Sequence, residues 1–250
     1  MRRAALWQAC SVLALLAVVP IASAAPVVTL KVTPTPIPGF AGTGDILGAG
    51  TDVEAKVTIS GTEYGGFPSP VTALTFYTPA GVKVDTQGFK ACDPSVFATD
   101  GAAGCPKSSS AGPVGEGLGV VSFGATRVDE KVSIQAFFAP GGGLNFYVEG
   151  TTPAFFEVLE KGQWSAAGAP YGPRLAVEVP LVETVPGADD ASILSFKVKL
   201  GAAYQKAGKT ISYFTLPKTC PKGGAPLKFE LKFLSGETTT VAFRQPCPKR

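Results

Sequence analysis

The chain contains no histidine. Histidine is the usual general base near neutral pH. Its absence removes Ser-His-Asp and Cys-His nucleophiles, histidine metal sites and histidine general acids together. Asparagine occurs only at Asn145, and Phe146 and Tyr147 follow it, so no Asn-x-Ser/Thr acceptor exists. Charged residues make up only 16% of the chain, and the formal net charge is +3. That falls to about +1 if Arg2 and Arg3 are removed. No basic stripe is present, so nucleic acid is not expected as a partner. Beyond residue 25, no run is long and apolar enough to cross a bilayer.

The N-terminus has a definite pattern. Arg2 and Arg3 precede an almost wholly apolar run from residue 4 to 21; Pro20 breaks it, and Ala22, Ser23 and Ala24 follow. Positive end, apolar centre, breaker and small residues make a secretory signal peptide over residues 1–25. The expected mature chain, 26–250, works outside the cytoplasmic membrane, secreted or in the cell envelope, with no stable membrane span after cleavage. An uncleaved anchor is disfavoured by Pro20 and the small-residue site. The paired arginines lack the flanking residues of twin-arginine export. Cys10 precedes the apolar centre and does not fit a lipoprotein anchor.

With Cys10 discarded, Cys92, Cys105, Cys220 and Cys247 form an even set. Four cysteines allow three pairings. The pairs nearest in sequence, Cys92–Cys105 and Cys220–Cys247, are favoured, and an exported chain meets conditions in which disulfides persist. Zinc is disfavoured, because Cys-x-x-Cys spacing and histidine are both missing.

Glycine and proline are abundant (30 and 22), yet hydrophobic residues reach 45%. A core can therefore form, and Gly and Pro read as punctuation between strands. Apolar residues recur with period two. Val53, Ala55, Val57 and Ile59 point one way; Glu54, Lys56 and Thr58 point the other. Leu227, Phe229, Leu231 and Phe233 repeat the pattern, and Ser235-Gly236-Glu237 turns the chain into a second strand. Further strands are expected at 27–32, 71–77, 119–123, 131–138, 144–148, 155–159, 174–182, 192–200 and 210–215. About a dozen short strands between Gly/Pro turns suggest an all-β antiparallel sandwich, Ig-like or jelly-roll-like. One short helix is expected after Asp93 (N-cap) and Pro94, ending near Gly101. The Ser/Gly-rich segment 108–115 is a candidate linker. A single unit, 26–250, is preferred; two subdomains, 26–110 and 114–250, are the alternative.

Few motifs suggest chemistry. Leu216-Pro217-Lys218-Thr219 is like a sorting signal, but Cys220 follows where Gly belongs and no apolar tail comes after. Gly141-Gly142-Gly143 precedes a strand, not the helix a phosphate cradle needs. Asp129-Glu130 and Asp189-Asp190 lack the spacing of a calcium loop, so neither metal nor cofactor is expected. Glu149, Glu157, Glu178 and Glu183 lie in or beside strands and are expected mostly to face water. Trp164 and Tyr171, with Tyr147 and Tyr204, lie near loops or strand ends. Trp164 and Tyr171 are candidate stacking residues for sugar rings, but the preferred reading of Trp164 is that it plugs one end of the core.

Several short stretches carry a resemblance. They are Tyr171-Gly172-Pro173-Arg174-Leu175, Val185-Pro186-Gly187-Ala188, Leu216 through Gly224, and Pro246-Cys247-Pro248, with Pro79-Ala80-Gly81, Ala91-Cys92 and Gly104-Cys105-Pro106 upstream. Across most of the mature chain, the sequence resembles a family of uncharacterised exported β-rich proteins of high-GC Gram-positive bacteria. The resemblance implies export and the two-loop cysteine pattern, and it supplies no catalytic residue. The expected function is that of a non-enzymatic envelope or extracellular protein acting by binding or as a structural module. Cell-wall glycan or another envelope protein is the expected partner. A carbohydrate-binding module using Trp164 and Tyr171, or a carboxylate-dependent secreted hydrolase, are the alternatives.

Overall fold

Alternating side chains become strands along most of the chain in the computed structural model, which describes residues 25–38, 46–123 and 126–247. Apart from Ala25, the expected signal peptide lies outside the described residues. The strands of the first half are β1 (Val27–Pro36), β2 (Thr51–Ser60), β3 (Val71–Pro79), β4 (Lys83–Val84), β5 (Gly115–Phe123), β6 (Thr126–Phe138) and β7 (Leu144–Gly150). Those of the second half are β8 (Phe156–Ala166), β9 (Tyr171–Glu178), β10 (Ser192–Leu200), β11 (Ala203–Lys206), β12 (Lys209–Ser212), β13 (Phe214–Thr215), β14 (Ala225–Phe233) and β15 (Thr238–Gln245). The hairpin expected at the C-terminal end is β14–β15: Leu227, Phe229, Leu231 and Phe233 are buried, and Gly236 takes the positive φ (86°) that its turn requires.

Eleven strands form one antiparallel sheet in the order β1-β2-β10-β5-β6-β7-β8-β9-β3-β14-β15. Its two edges, β1 and β15, come together, and the Thr239 hydroxyl donates to the Pro26 carbonyl at 2.8 Å. The mostly-β fold, the short helix and both disulfides agree with the sequence reading. The sandwich does not: the ladder curls into a nearly closed barrel. Alternation says that each strand has one apolar face, and a curled sheet supplies that face as well as two stacked sheets do. Strands before and after residues 108–115 share the sheet: β2 bonds to β10, and β3 lies between β9 and β14.

Segment 108–115, the candidate linker, is fastened to the barrel. Ala111 is fully buried; its N–H donates to Ala136 O, and its carbonyl accepts from Gly201 N, both at 2.8 Å. A Cβ on Gly112 would collide with the Lys199 carbonyl, so glycine here serves close approach and not flexibility.

The helix α1 (Pro94–Asp100) starts as expected: Asp93 accepts from Ser95 N at 2.9 Å, and Gly101 (φ 58°) ends it. Cys92–Cys105 joins the two ends of this excursion, with Cα atoms 5.4 Å apart. Phe97 packs on Phe137 and Tyr147 on the outer wall. The other disulfide, Cys220–Cys247, ties the β10–β14 connection to the chain's last described residue. It spans 27 residues, for which chain entropy suggests about 3–4 kcal/mol. Replacing both of its cysteines by serine should lower urea-unfolding stability by about that amount. A loss under about 1 kcal/mol would mean that the bridge constrains little.

Candidate functional site

The barrel is not filled. A cavity of about 570 Å³ runs through its interior, bordered by inward-facing residues of β1–β3, β5–β10 and β14. Leu30, Leu74, Phe76, Val132, Val148 and Phe196 pack against the core clusters on one side and line the void on the other, so they stay partly accessible. Two packed clusters bracket it. One gathers Val28, Val57, Ile59, Val71, Phe229, Leu231 and Phe233. The other gathers Phe138, Leu144, Phe146, Leu175, Tyr213 and Phe214.

The two mouths are closed differently. The β10–β14 connection plugs one with aromatic rings. Tyr213 is fully buried, 4.5 Å from Phe214 and 4.9 Å from Phe138 between ring centroids, and Trp164 Nε1 donates to its hydroxyl at 2.7 Å. Burial pushes the Tyr213 phenol well above its ordinary range. At the other mouth, residues 179–191 join β9 to β10, strands that lie five places apart in the sheet. Polar contacts hold this strap to the barrel along its length: Val179 N donates to Thr72 O at 3.0 Å, Thr184 Oγ1 to Ser122 O at 2.5 Å and Asp190 N to the Tyr64 hydroxyl at 3.3 Å, and Asp189 meets Arg127 at 3.3 Å. Pro180, Leu181 and Val182 line the cavity, and Leu181 is also exposed outward.

Among the described residues, the cavity wall carries two carboxyl groups and no lysine or arginine. Glu130, on β6, is fully buried and accounted for: its carboxylate accepts from Thr152 N at 3.0 Å and Ala154 N at 2.9 Å, capping the β7–β8 loop. Glu160, on β8, is different. It points inward with Phe156, Val158 and Trp164, and no hydrogen bond or ion pair reaches it from the described residues. Its partial accessibility is to the void, not to the outer surface. Loss of hydration in this apolar enclosure raises its pKa from 4.5 to about 7. Glu160 pairs in register with Phe146, which pairs with Ala136, six residues along β6 from Glu130. At roughly 3.3 Å per residue, the two carboxyl-bearing positions are about 20 Å apart along the strands. Hydrolytic carboxyl pairs work at about 5–10 Å.

Trp164 borders the cavity and seals its plugged end, while Tyr171 lies with Tyr77 (5.5 Å between rings) and beside Lys228. The two candidate stacking residues are not brought onto one platform. Tyr147 stacks on Phe97, and Tyr204 donates to Gln87 O at 3.1 Å. Glu149 and Glu157 are cross-strand neighbours on β7 and β8. Gly141 and Gly142 form the tight β6–β7 turn. Asp189 pairs with Arg127, and no group of three acidic or sulfur ligands gathers among the described residues. Also among them, no helix is long and apolar enough to cross a membrane.

Sequence reasoning missed Glu160. Its signal was a carboxylate on an apolar face, in step with Phe156 and Val158. The strand expected at 155–159 stops one residue short of Glu160, whereas the strand observed runs from Phe156 to Ala166. Comparison with family models, curated proteins and solved structures gives no match for this chain.

Proposed function

We propose that this chain is an exported, non-enzymatic carrier that holds one apolar small molecule inside its barrel. The observation that carries the reading is the apolar cavity of about 570 Å³, within the range of roughly 300–1,000 Å³ usual for ligand pockets. Cavities left by deleting side chains cost roughly 24 cal/mol per Å³. A dry void of this size would forgo on the order of 14 kcal/mol, about the whole stability of a domain. A hollow so large is better understood as a place kept for a guest than as imperfect packing. The lining runs out at both ends, to Leu181 under the strap and to Cys220, Pro221 and Pro246 beside the aromatic plug, and either end gives the guest a route in.

Export fits the signal-like N-terminus and two disulfides, which persist in an oxidising compartment. A carrier of this kind would move or store an apolar compound in the envelope. The non-enzymatic reading is supported by the lack of histidine and by the wide separation of the two interior carboxyls.

Titration with the fluorescent dye N-phenyl-1-naphthylamine tests the proposal. Saturable binding of one dye per chain, displaced by decanol and lost on unfolding in urea, is expected. Linear, unsaturable uptake, or none, would rule the carrier out.

A further inference from the structure

Resting on the carrier reading, we propose that the cavity selects a lipophilic amine, an alkyl chain or ring system bearing one ammonium group, and that Glu160 is the residue that receives it.

The cavity presents polarity at very few points. Of its two carboxyls, Glu130 is occupied by the N–H groups of Thr152 and Ala154. Glu160 has no partner among the described residues and faces the void. The outward-facing neighbours on its strand, Glu157, Lys161 and Gln163, are exposed and point away from it. Its register partner on β7 is Phe146. A carboxyl in such surroundings is a strong discriminator. An ammonium group would supply the opposite charge that the wall lacks, turning an isolated buried charge into a hydrogen-bonded pair. A carboxylate or phosphate head would add like charge in a low-dielectric enclosure where no lysine or arginine among the described residues offsets it. Specificity of this kind comes as much from the repulsion of the wrong head group as from attraction of the right one. Meanwhile the apolar wall takes the rest of the molecule without directional demand.

Three ligands with the same ten-carbon chain isolate the head group: decylamine, decanol and decanoate, each competed against N-phenyl-1-naphthylamine at pH 8. The expected order is decylamine, then decanol, then decanoate, with decylamine at least about tenfold tighter than decanoate. In Glu160→Gln the gap should shrink to about threefold or less. N-decylacetamide provides a control that needs no variant: acetylation removes the ammonium charge, and its affinity should fall to that of decanol. Decanoate binding as tightly as decylamine in the wild type, or an amine preference that survives Glu160→Gln or acetylation, overturns the proposal. Failure of all the decyl ligands, decanol included, instead removes the carrier reading beneath it.

Discussion

Tyr213→Ala is expected to lower stability by about 5 kcal/mol, enough to leave little of a typical domain folded. Tyr213 is fully buried at the plugged mouth, where its ring meets Phe138 and Phe214 and lies 5.8 Å from Phe89. Truncating a buried aromatic to alanine costs roughly 3–5 kcal/mol. The variant also strips the acceptor from Trp164 Nε1, at 2.7 Å, adding about 1–3 kcal/mol if the indole N–H finds no substitute. Tyr213→Phe separates the two effects: it keeps the ring and should cost only the second amount. Of the two tryptophans, Trp7 lies in the expected signal, which leaves Trp164 as the fluorescent reporter of the mature chain. Its emission in urea titrations of the three proteins provides the measurement. A loss below about 2 kcal/mol for Tyr213→Ala would mean that the aromatic plug does not anchor the barrel.

The second large effect depends on pH. Glu160 is an acid whose pKa is raised from 4.5 to about 7 on folding. Below pH 4.5 the group is protonated in both states and contributes no pH dependence. Between about pH 4.5 and 7 the unfolded chain has released the proton and the folded barrel has kept it. Folded protein then binds more protons, so stability falls as pH rises through this window and levels off above it. At 1.36 kcal/mol per pKa unit the decrement has a ceiling of about 3 kcal/mol, reduced by any water the cavity admits. Glu160→Gln removes the titration. The ligand-free variant should match the wild type near pH 4.5 and exceed it by up to about 3 kcal/mol at pH 8. Comparing the two proteins cancels groups that act in the opposite direction, such as Glu230, held below its ordinary range by its bonds from Tyr77 and Lys228 despite partial burial. Parallel stability curves from pH 4.5 to 8 would place Glu160 in contact with water and not in an apolar void.

How much of this could be read from the residues varies with the range of the interaction concerned. Local features were legible. The Asp93 cap, the Gly236 turn and the alternation of Leu227 to Phe233 each depend on a few adjacent positions. The nearest-neighbour cysteine pairs were also correct, both bridges closing local excursions. Closure was not legible, because Val57 presents the same alternation whether its sheet stacks on another or curls on itself. Segment 108–115 was ambiguous for a related reason. Ser, Gly and Pro suggest mobility, but the small side chains of Ala111 and Gly112 allow a close approach to β6 and β10. The cavity was hidden more deeply. A sequence shows which residues are apolar, not whether the opposite wall reaches them. Glu160 was missed because the expected strand ended at Leu159, so the inward face of Phe156 and Val158 was not carried on to the next position in step with them.

The most direct test of a hollow, guest-holding barrel is a crystal structure of residues 26–250 grown with decanol. Continuous density for one decyl chain is expected within the barrel, between Phe76 and Phe196 and within reach of Glu160. An interior closed by its own side chains, with no room for the chain, would contradict it.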